Sequence, residues 1–332
     1  MIISNKNLLQ DDILHQMNSA LAPTNDEWVK SLPLNHFPLV FIVGAPRSGT
    51  TLLHQLLASY GRFGYVNNLI ARLWRVPALF MALERDIGAT SERLAEFHST
   101  FGKTSGSSGP HEFGFFWRRW LRYEGSHKVE KDAVPEEIRE ALFRELNAVL
   151  HVANRAVVFK NLAACGMNAE LLAQIHTNSL FLVVEREKMD VVRSILSARK
   201  KNFDSYREWF SVKPPHWQST VDREPLEQID WQIDAIESQL KQQLNVLDES
   251  RIRKLRFQSI VERPNQVLSE VRDWVNQFGG ALEHPFPVNQ ETLQQPPKRF
   301  LPYEFEAALS RLTDRRPDGL PFQLLGEVEK NQ

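Results

Sequence analysis

The chain has 332 residues, a length that suits one large α/β domain with insertions as well as two smaller domains. Its 40 lysines and arginines nearly cancel its 41 aspartates and glutamates, so no field of the whole molecule would hold it on nucleic acid or an acidic membrane. A single cysteine, Cys165, excludes an intramolecular disulfide framework and a Cys-rich zinc site. Any bound anion must therefore be held by a local site. Asp11 and Asp12 interrupt the apolar core that a signal peptide would need, and no window approaches ~18 consecutive apolar residues, so a soluble, cytoplasmic protein without membrane insertion is expected.

Residues 1–36 read as a helical lead-in that ends at the break "PLNHFP", and residues 37–332 as a single domain. The continuous β-branched and aromatic run "LVFIV" (39–43) predicts a strand buried on both faces, and a helix follows over 50–60. "RFGYV" (62–66) predicts a second strand, after which the apolar positions of 67–86 recur at helical spacing. Glycine and serine mark 102–114 as a loop, and a helix with proline at its start and acids in its first turn is expected over 135–154. "AVVFK" (156–160) and "SLFLVV" (179–184) predict strands, each followed by a helix, over 168–176 and 189–201.

The stretch 211–225 is an irregular, proline-bearing connection. A long helix follows, with Ile229, Ile233, Ile236, Leu240, Leu244 and Leu247 on one buried stripe. "RKLRFQSI" (253–260) predicts a last strand, and a closing helix stops at Gly279 and Gly280. Strands alternating with helices at this spacing imply an α/β, three-layer fold around a mostly parallel sheet of about five strands. Insertions at about 67–155 and 203–250 interrupt that frame.

The chemistry concentrates at "GAPRSGTT" (44–51), the turn between the first strand and its helix. Such a turn presents backbone N–H groups at the positive end of the helix dipole, where an anion belongs. Gly44 and Gly49 permit close approach, Arg47 offers a planar fork of donors, and Ser48, Thr50 and Thr51 add hydroxyls. The lysine that follows the second glycine in nucleotide hydrolases is replaced by Thr50, which argues against lysine-and-magnesium handling of β- and γ-phosphates. An anion with a singly charged transferable end, such as a phosphosulfate, fits better and needs no metal.

"PRSGT" resembles the 5′-phosphosulfate-binding loop of bacterial-type sulfotransferases that use 3′-phosphoadenosine-5′-phosphosulfate, which commonly reads P-[KR]-[ST]-G-[TS]. The stretch "SLFLVVEREKMDVVRS" is similar to the same family's 3′-phosphate segment, with Arg186, Asp190 and Ser194 in place and Lys188 where proline is usual. "VVFKN" is similar to the strand whose lysine, here Lys160, reaches the sulfonate side. "LRFQSIVERP" resembles a late strand and helix, although Phe257, Gln258 and Ser259 stand where Tyr, Glu and Asp are usual. The resemblance implies a P-loop nucleotide-kinase-like fold, a sulfonate donor held by Arg47, Ser48, Gly49, Thr50, Thr51, Arg186 and Ser194, and a hydroxyl acceptor. "PPKRFLP" would supply Lys298 and Arg299 over the nucleotide, unless they are only a solvated basic pair.

Transfer to an alcohol needs a base within hydrogen-bond reach of the hydroxyl. The histidine that one branch of the family places two residues after the lysine is Leu162 here, and the glutamate of other branches is replaced by Asn67 and Asn68. Glu112 and His111, in "SGPHEFGFFWRRW", are the candidates that remain, with Glu84 behind them and Asn68 available to orient the acceptor. Trp74, Trp117, Trp120, Trp209 and Trp217 could offer faces to a carbohydrate or could be packing residues. A nucleotide or small-molecule kinase with an altered loop, and a non-catalytic nucleotide-binding module, stay open as alternatives on sequence.

Overall fold

A computed structural model describes residues 8–87, 99–100, 103–289, 293, 302, 305–307 and 309. Helix α1 (Leu8–Ser31) leads into strand β1 (Leu39–Gly44), helix α2 (Thr50–Ser59) and strand β2 (Gly64–Tyr65). Helix α3 (Pro77–Asp86), a small hairpin of β3 (Ser99–Thr100) and β4 (Lys103–Thr104), and helices α4 (Gly114–Leu121) and α5 (Glu136–Ala153) form the long insertion. The frame resumes with β5 (Val157–Phe159), α6 (Ala169–Ile175), β6 (Ser179–Glu185) and α7 (Lys188–Phe203). It closes with α8 (Pro225–Leu244), β7 (Ile252–Arg256), α9 (Phe257–Glu262) and α10 (Pro264–Asn276).

The central sheet has five strands in the order β2-β5-β1-β6-β7, and every pairing is parallel. Strand β1 lies in its middle, and all six of its residues are buried. Alternation sends Leu39, Phe41 and Val43 to one face, where Phe41 stacks on Phe159 and Phe181 at 6.1 and 5.5 Å. Val40 and Ile42 face the other side, against Leu53, Leu56 and Leu57 of α2 and Leu268 of α10. Both faces are covered by helices, so the strand can be apolar at every position. Among the described residues no helix is long and apolar enough to cross a membrane.

Three elements differ from the sequence expectation. The helical spacing of 67–86 resolves into a short 3₁₀ turn, Ile70–Leu73, and then α3, because Pro77 has no N–H to continue a helix and starts a new one instead. The strand read over 253–260 ends at Arg256, opposite Glu185 at the last position of β6; with no strand left to pair with, Phe257 opens α9. Within 102–114, Lys103–Thr104 pair antiparallel with Ser99–Thr100 before the chain becomes a loop.

Helix α1 is keyed to the body by asparagines. Asn18 donates to the Arg72 carbonyl (2.9 Å) and accepts from the Arg75 amide (2.8 Å), and Asn25 donates to the buried Glu145 carboxylate (2.9 Å). Burial pushes the Glu145 carboxyl up to about 7, although Arg119, 3.9 Å away, and Asn25 both pull it down. Between the ordinary 4.5 and about 7, the folded state keeps a proton that the unfolded chain releases. Stability should therefore fall as pH rises through that window, by at most about 3 kcal/mol, and level off above it. Urea midpoints of Glu145→Gln at pH 5 and pH 8 should be closer together than those of the wild type; an unchanged difference would contradict this.

Candidate functional site

The turn between β1 and α2 is held in a shape that few residues can adopt. Gly44 has φ +145°, and a Cβ there would lie 2.6 Å from the Val184 carbonyl oxygen of β6. Gly49 caps α2 with φ +106°, and a Cβ there would lie 2.3 Å from the Phe257 ring. Arg47, between them, also has positive φ (69°), a strained conformation for a side chain of its size. No side chain caps α2, whose first backbone bond runs from the Leu53 amide to the Gly49 carbonyl (3.1 Å). The amides before it have no helical carbonyl to donate to, and they point at the turn. The Ser48 hydroxyl is buried there without a hydrogen-bond partner.

The two sequence motifs converge on this turn. Arg186, just past β6, donates through Nη1 to the Arg47 carbonyl (3.2 Å), and Arg47 Nε donates to the Ser194 hydroxyl of α7 (3.0 Å). Asp190 lies 3.7 Å from Arg186 Nη2, and the guanidinium stacks 4.2 Å over the Phe257 ring. Burial works against the charge of Arg186 and Asp190 supports it, while its Nε is buried without a partner. Phe257 thus touches both halves, packing on Gly49 and on Arg186. The sequence marked it only as a departure from a usual tyrosine; its place at the carboxyl end of the last strand was the available signal.

Lys160 and Glu112 also meet. The ammonium of Lys160, with a side chain only 5% exposed, pairs with the Glu112 carboxylate, whose side chain is 43% exposed. Asn161 Nδ2 donates to the Glu112 carbonyl (3.0 Å), which fixes the loop against the end of β5. The His111 amide donates to the Val66 carbonyl (2.9 Å), and His111 Nδ1 accepts from the Phe113 amide (2.8 Å). Beneath them His54 of α2 is fully buried; burial, with Lys160 and His111 adding to it, holds its imidazole down at about 3 and therefore neutral. Sequence reasoning missed His54, which looked like one more helix residue.

The remaining candidates take other places. Glu84 accepts from Asn67 Nδ2 (3.0 Å) and is raised by burial, while Asn68 Nδ2 donates to the Gly106 carbonyl (2.7 Å) and ties down the Gly/Ser loop. Trp117 and Trp120 are buried in the core beside Phe116, so neither offers a face to a sugar. Trp74 stacks on Phe115 and Trp209 leans on Trp217, both pairs partly accessible. Lys298 and Arg299 lie outside the described residues.

The Sulfotransferase family model matches residues 38–277, which span all the elements that carry the converging motifs. The chain belongs to the sulfotransferase family. It is a transferase enzyme, and the parallel α/β frame agrees with solved members. Sulfotransferase STF9 from Mycobacterium avium superposes with a TM-score of 0.51 at 14% identity, over 91% of this chain and 73% of its own. Sulfotransferase STF1 from Mycobacterium tuberculosis H37Rv gives 0.51 at 14% identity, over 92% of this chain and 82% of its own. No curated protein matches the chain by sequence. At such identity the solved structures speak for the fold, and the activity rests on the family match.

Proposed function

We propose that this sulfotransferase takes its sulfonate from 3′-phosphoadenosine-5′-phosphosulfate and passes it to a hydroxyl of a small-molecule or glycan acceptor in the cytoplasm. The observation that carries the reading is the Arg186 contact with the Arg47 carbonyl, which joins two motifs 139 residues apart at the carboxyl ends of neighbouring strands. A buried Ser48 hydroxyl and a buried Arg186 Nε, both without partners, together with a cradle that a Cβ would fill, suit an anionic nucleotide. Arg47, Ser48, Gly49, Thr50 and Thr51 would hold its 5′ end, and Arg186 and Ser194 its 3′-phosphate. Lys298 and Arg299 would cover it. The insertions at about 67–155 and 203–250 would build the acceptor side of the single domain that follows the lead-in.

In the transfer, a bond forms between the acceptor oxygen and sulfur while the bond from sulfur to the bridging phosphate oxygen breaks, its electron pair leaving with 3′-phosphoadenosine 5′-phosphate. The acceptor's proton goes to Glu112. Lys160 and Arg47 neutralise charge that develops around the reacting group, and the low-dielectric surroundings of Lys160 strengthen that effect. The burial order supports these roles: the cation lies deep, and the partly exposed carboxylate is open to an incoming hydroxyl. Because the sulfonate is singly charged, side-chain and backbone donors can do this work.

The test separates the two phosphate subsites. Arg186→Ala should weaken 3′-phosphoadenosine 5′-phosphate by about 10²-fold in a calorimetric titration, the scale of a lost charge-assisted pair. Adenosine 5′-phosphate should change by less than about threefold. Equal losses for both nucleotides would sink the assignment of Arg186 to the 3′-phosphate.

A further inference from the structure

Two routes lead from the Glu112–Lys160 pair to a cluster of cations that the donor reading does not use. The first runs through α4. Arg118 lies on α4, six residues past Glu112, its guanidinium 5.8 Å over the Tyr123 ring; burial pushes the Tyr123 hydroxyl up, Arg118 opposes this, and the Glu112 charge adds a little to it. Tyr123 in turn meets the His127 ring edge-on, with centroids 4.9 Å apart. The second route runs through Leu162, two residues past Lys160, which packs with Val212 in a small buried cluster. Lys213 follows, exchanging bonds with His127: its carbonyl accepts from the His127 amide (2.8 Å), and its own amide donates to His127 Nδ1 (2.9 Å). The Lys213 ammonium stands 4.4 Å over the Trp217 ring.

Both routes end at His127, so Arg118 and Lys213 share one neighbourhood beside the transfer site. Burial and these two cations together hold the His127 imidazole down at about 4, which leaves it uncharged at neutral pH. Among the described residues no carboxylate lies within ion-pair distance of Arg118 or Lys213, although Glu124 is exposed nearby in sequence. Each cation instead rests on an aromatic ring, an arrangement that keeps a charge in place without neutralising it. Such a pair of cations repels a cationic ligand and is completed by an anionic one.

We infer that the acceptor carries an anionic group, a carboxylate or a phosphate or sulfate ester, and that Arg118 and Lys213 receive it while its hydroxyl meets Glu112. This rests on the sulfonate-transfer reading above and adds the class of acceptor to it. The Tyr123 and Trp217 rings, each with a cation over it, hold Arg118 and Lys213 in place for that group. The anion also determines orientation, since it sets one end of the acceptor away from the donor.

The experiment uses the full-length protein, sulfur-labelled donor and a small-molecule extract divided beforehand on an anion-exchange resin into bound and unbound pools. Label should enter the bound pool at least about tenfold more than the unbound one, the scale of one well-placed charge pair. The double variant R118Q/K213Q should lose that preference while its calorimetric affinity for 3′-phosphoadenosine 5′-phosphate stays that of the wild type. Label entering mainly the unbound pool, or a double variant that keeps the preference, overturns the inference. Label in neither pool, with the nucleotide still bound, also overturns it and leaves the donor assignment standing. Failure of the wild type to bind the nucleotide would instead overturn the donor reading.

Discussion

Exchange of Glu112 for glutamine is expected to lower kcat for sulfonate transfer by about 10²–10⁴-fold, the usual contribution of a positioned general base. Affinity for 3′-phosphoadenosine 5′-phosphate should change by less than about twofold, because glutamine keeps the shape of the side chain and can still accept a bond from Lys160. What it cannot do is receive the acceptor's proton. Two competing roles make different predictions. If His111 were the base, Glu112→Gln would keep most of its turnover and His111→Gln would lose it; since His111 Nδ1 accepts from the Phe113 amide, the neutral ring carries its proton on Nε2, and Nδ1 would have to give up that bond to take the acceptor's proton. If Glu112 only neutralised the buried ammonium of Lys160, the variant would lose stability and nucleotide affinity together, with no separate fall in kcat. Steady-state rates, a calorimetric titration and a urea midpoint on the same preparation distinguish the three.

Local chemistry made some of this site legible in the sequence and long-range packing hid the rest. β1 could be read because a strand covered on both faces must be apolar at every position, and its turn because the backbone there needs two glycines whatever surrounds it. Arg186 and Ser194 could be placed after their strand, but not their contact: Ser194 meets Arg47 across 147 residues, a distance no periodicity spans. Glu112 and Lys160 each stood out, yet their pairing depends on how the loop before α4 is tied to Asn161 and Val66. Trp117 and Trp209 look alike in sequence, and only the path of α4 buries the first in the core while the second stays partly accessible. The strand read through Phe257 failed because pairing partners, rather than β propensity, decide where an edge strand stops.

Phe257 also gives the second large effect, at Gly49. Gly49→Ala is expected to destabilise the protein by about 2–4 kcal/mol from two separate costs: a Cβ at strongly positive φ, and overlap with a ring that cannot easily retreat. The overlap falls on the Cδ2 edge of Phe257 at 2.3 Å, and the Arg186 guanidinium lies 4.2 Å over the same ring. Pushing the ring away would move Arg186, so donor affinity should fall in the same variant although no ligand-touching side chain has been changed. Phe257→Ala removes the obstacle and leaves the φ cost in place. The double variant Gly49→Ala/Phe257→Ala should therefore lose less than the sum of the two single changes, by about 1–2 kcal/mol in urea unfolding. Part of the affinity for 3′-phosphoadenosine 5′-phosphate lost in Gly49→Ala should return with it. Strict additivity of the two changes would mean that ring and turn act independently, and that Phe257 does not transmit the position of the loop to Arg186.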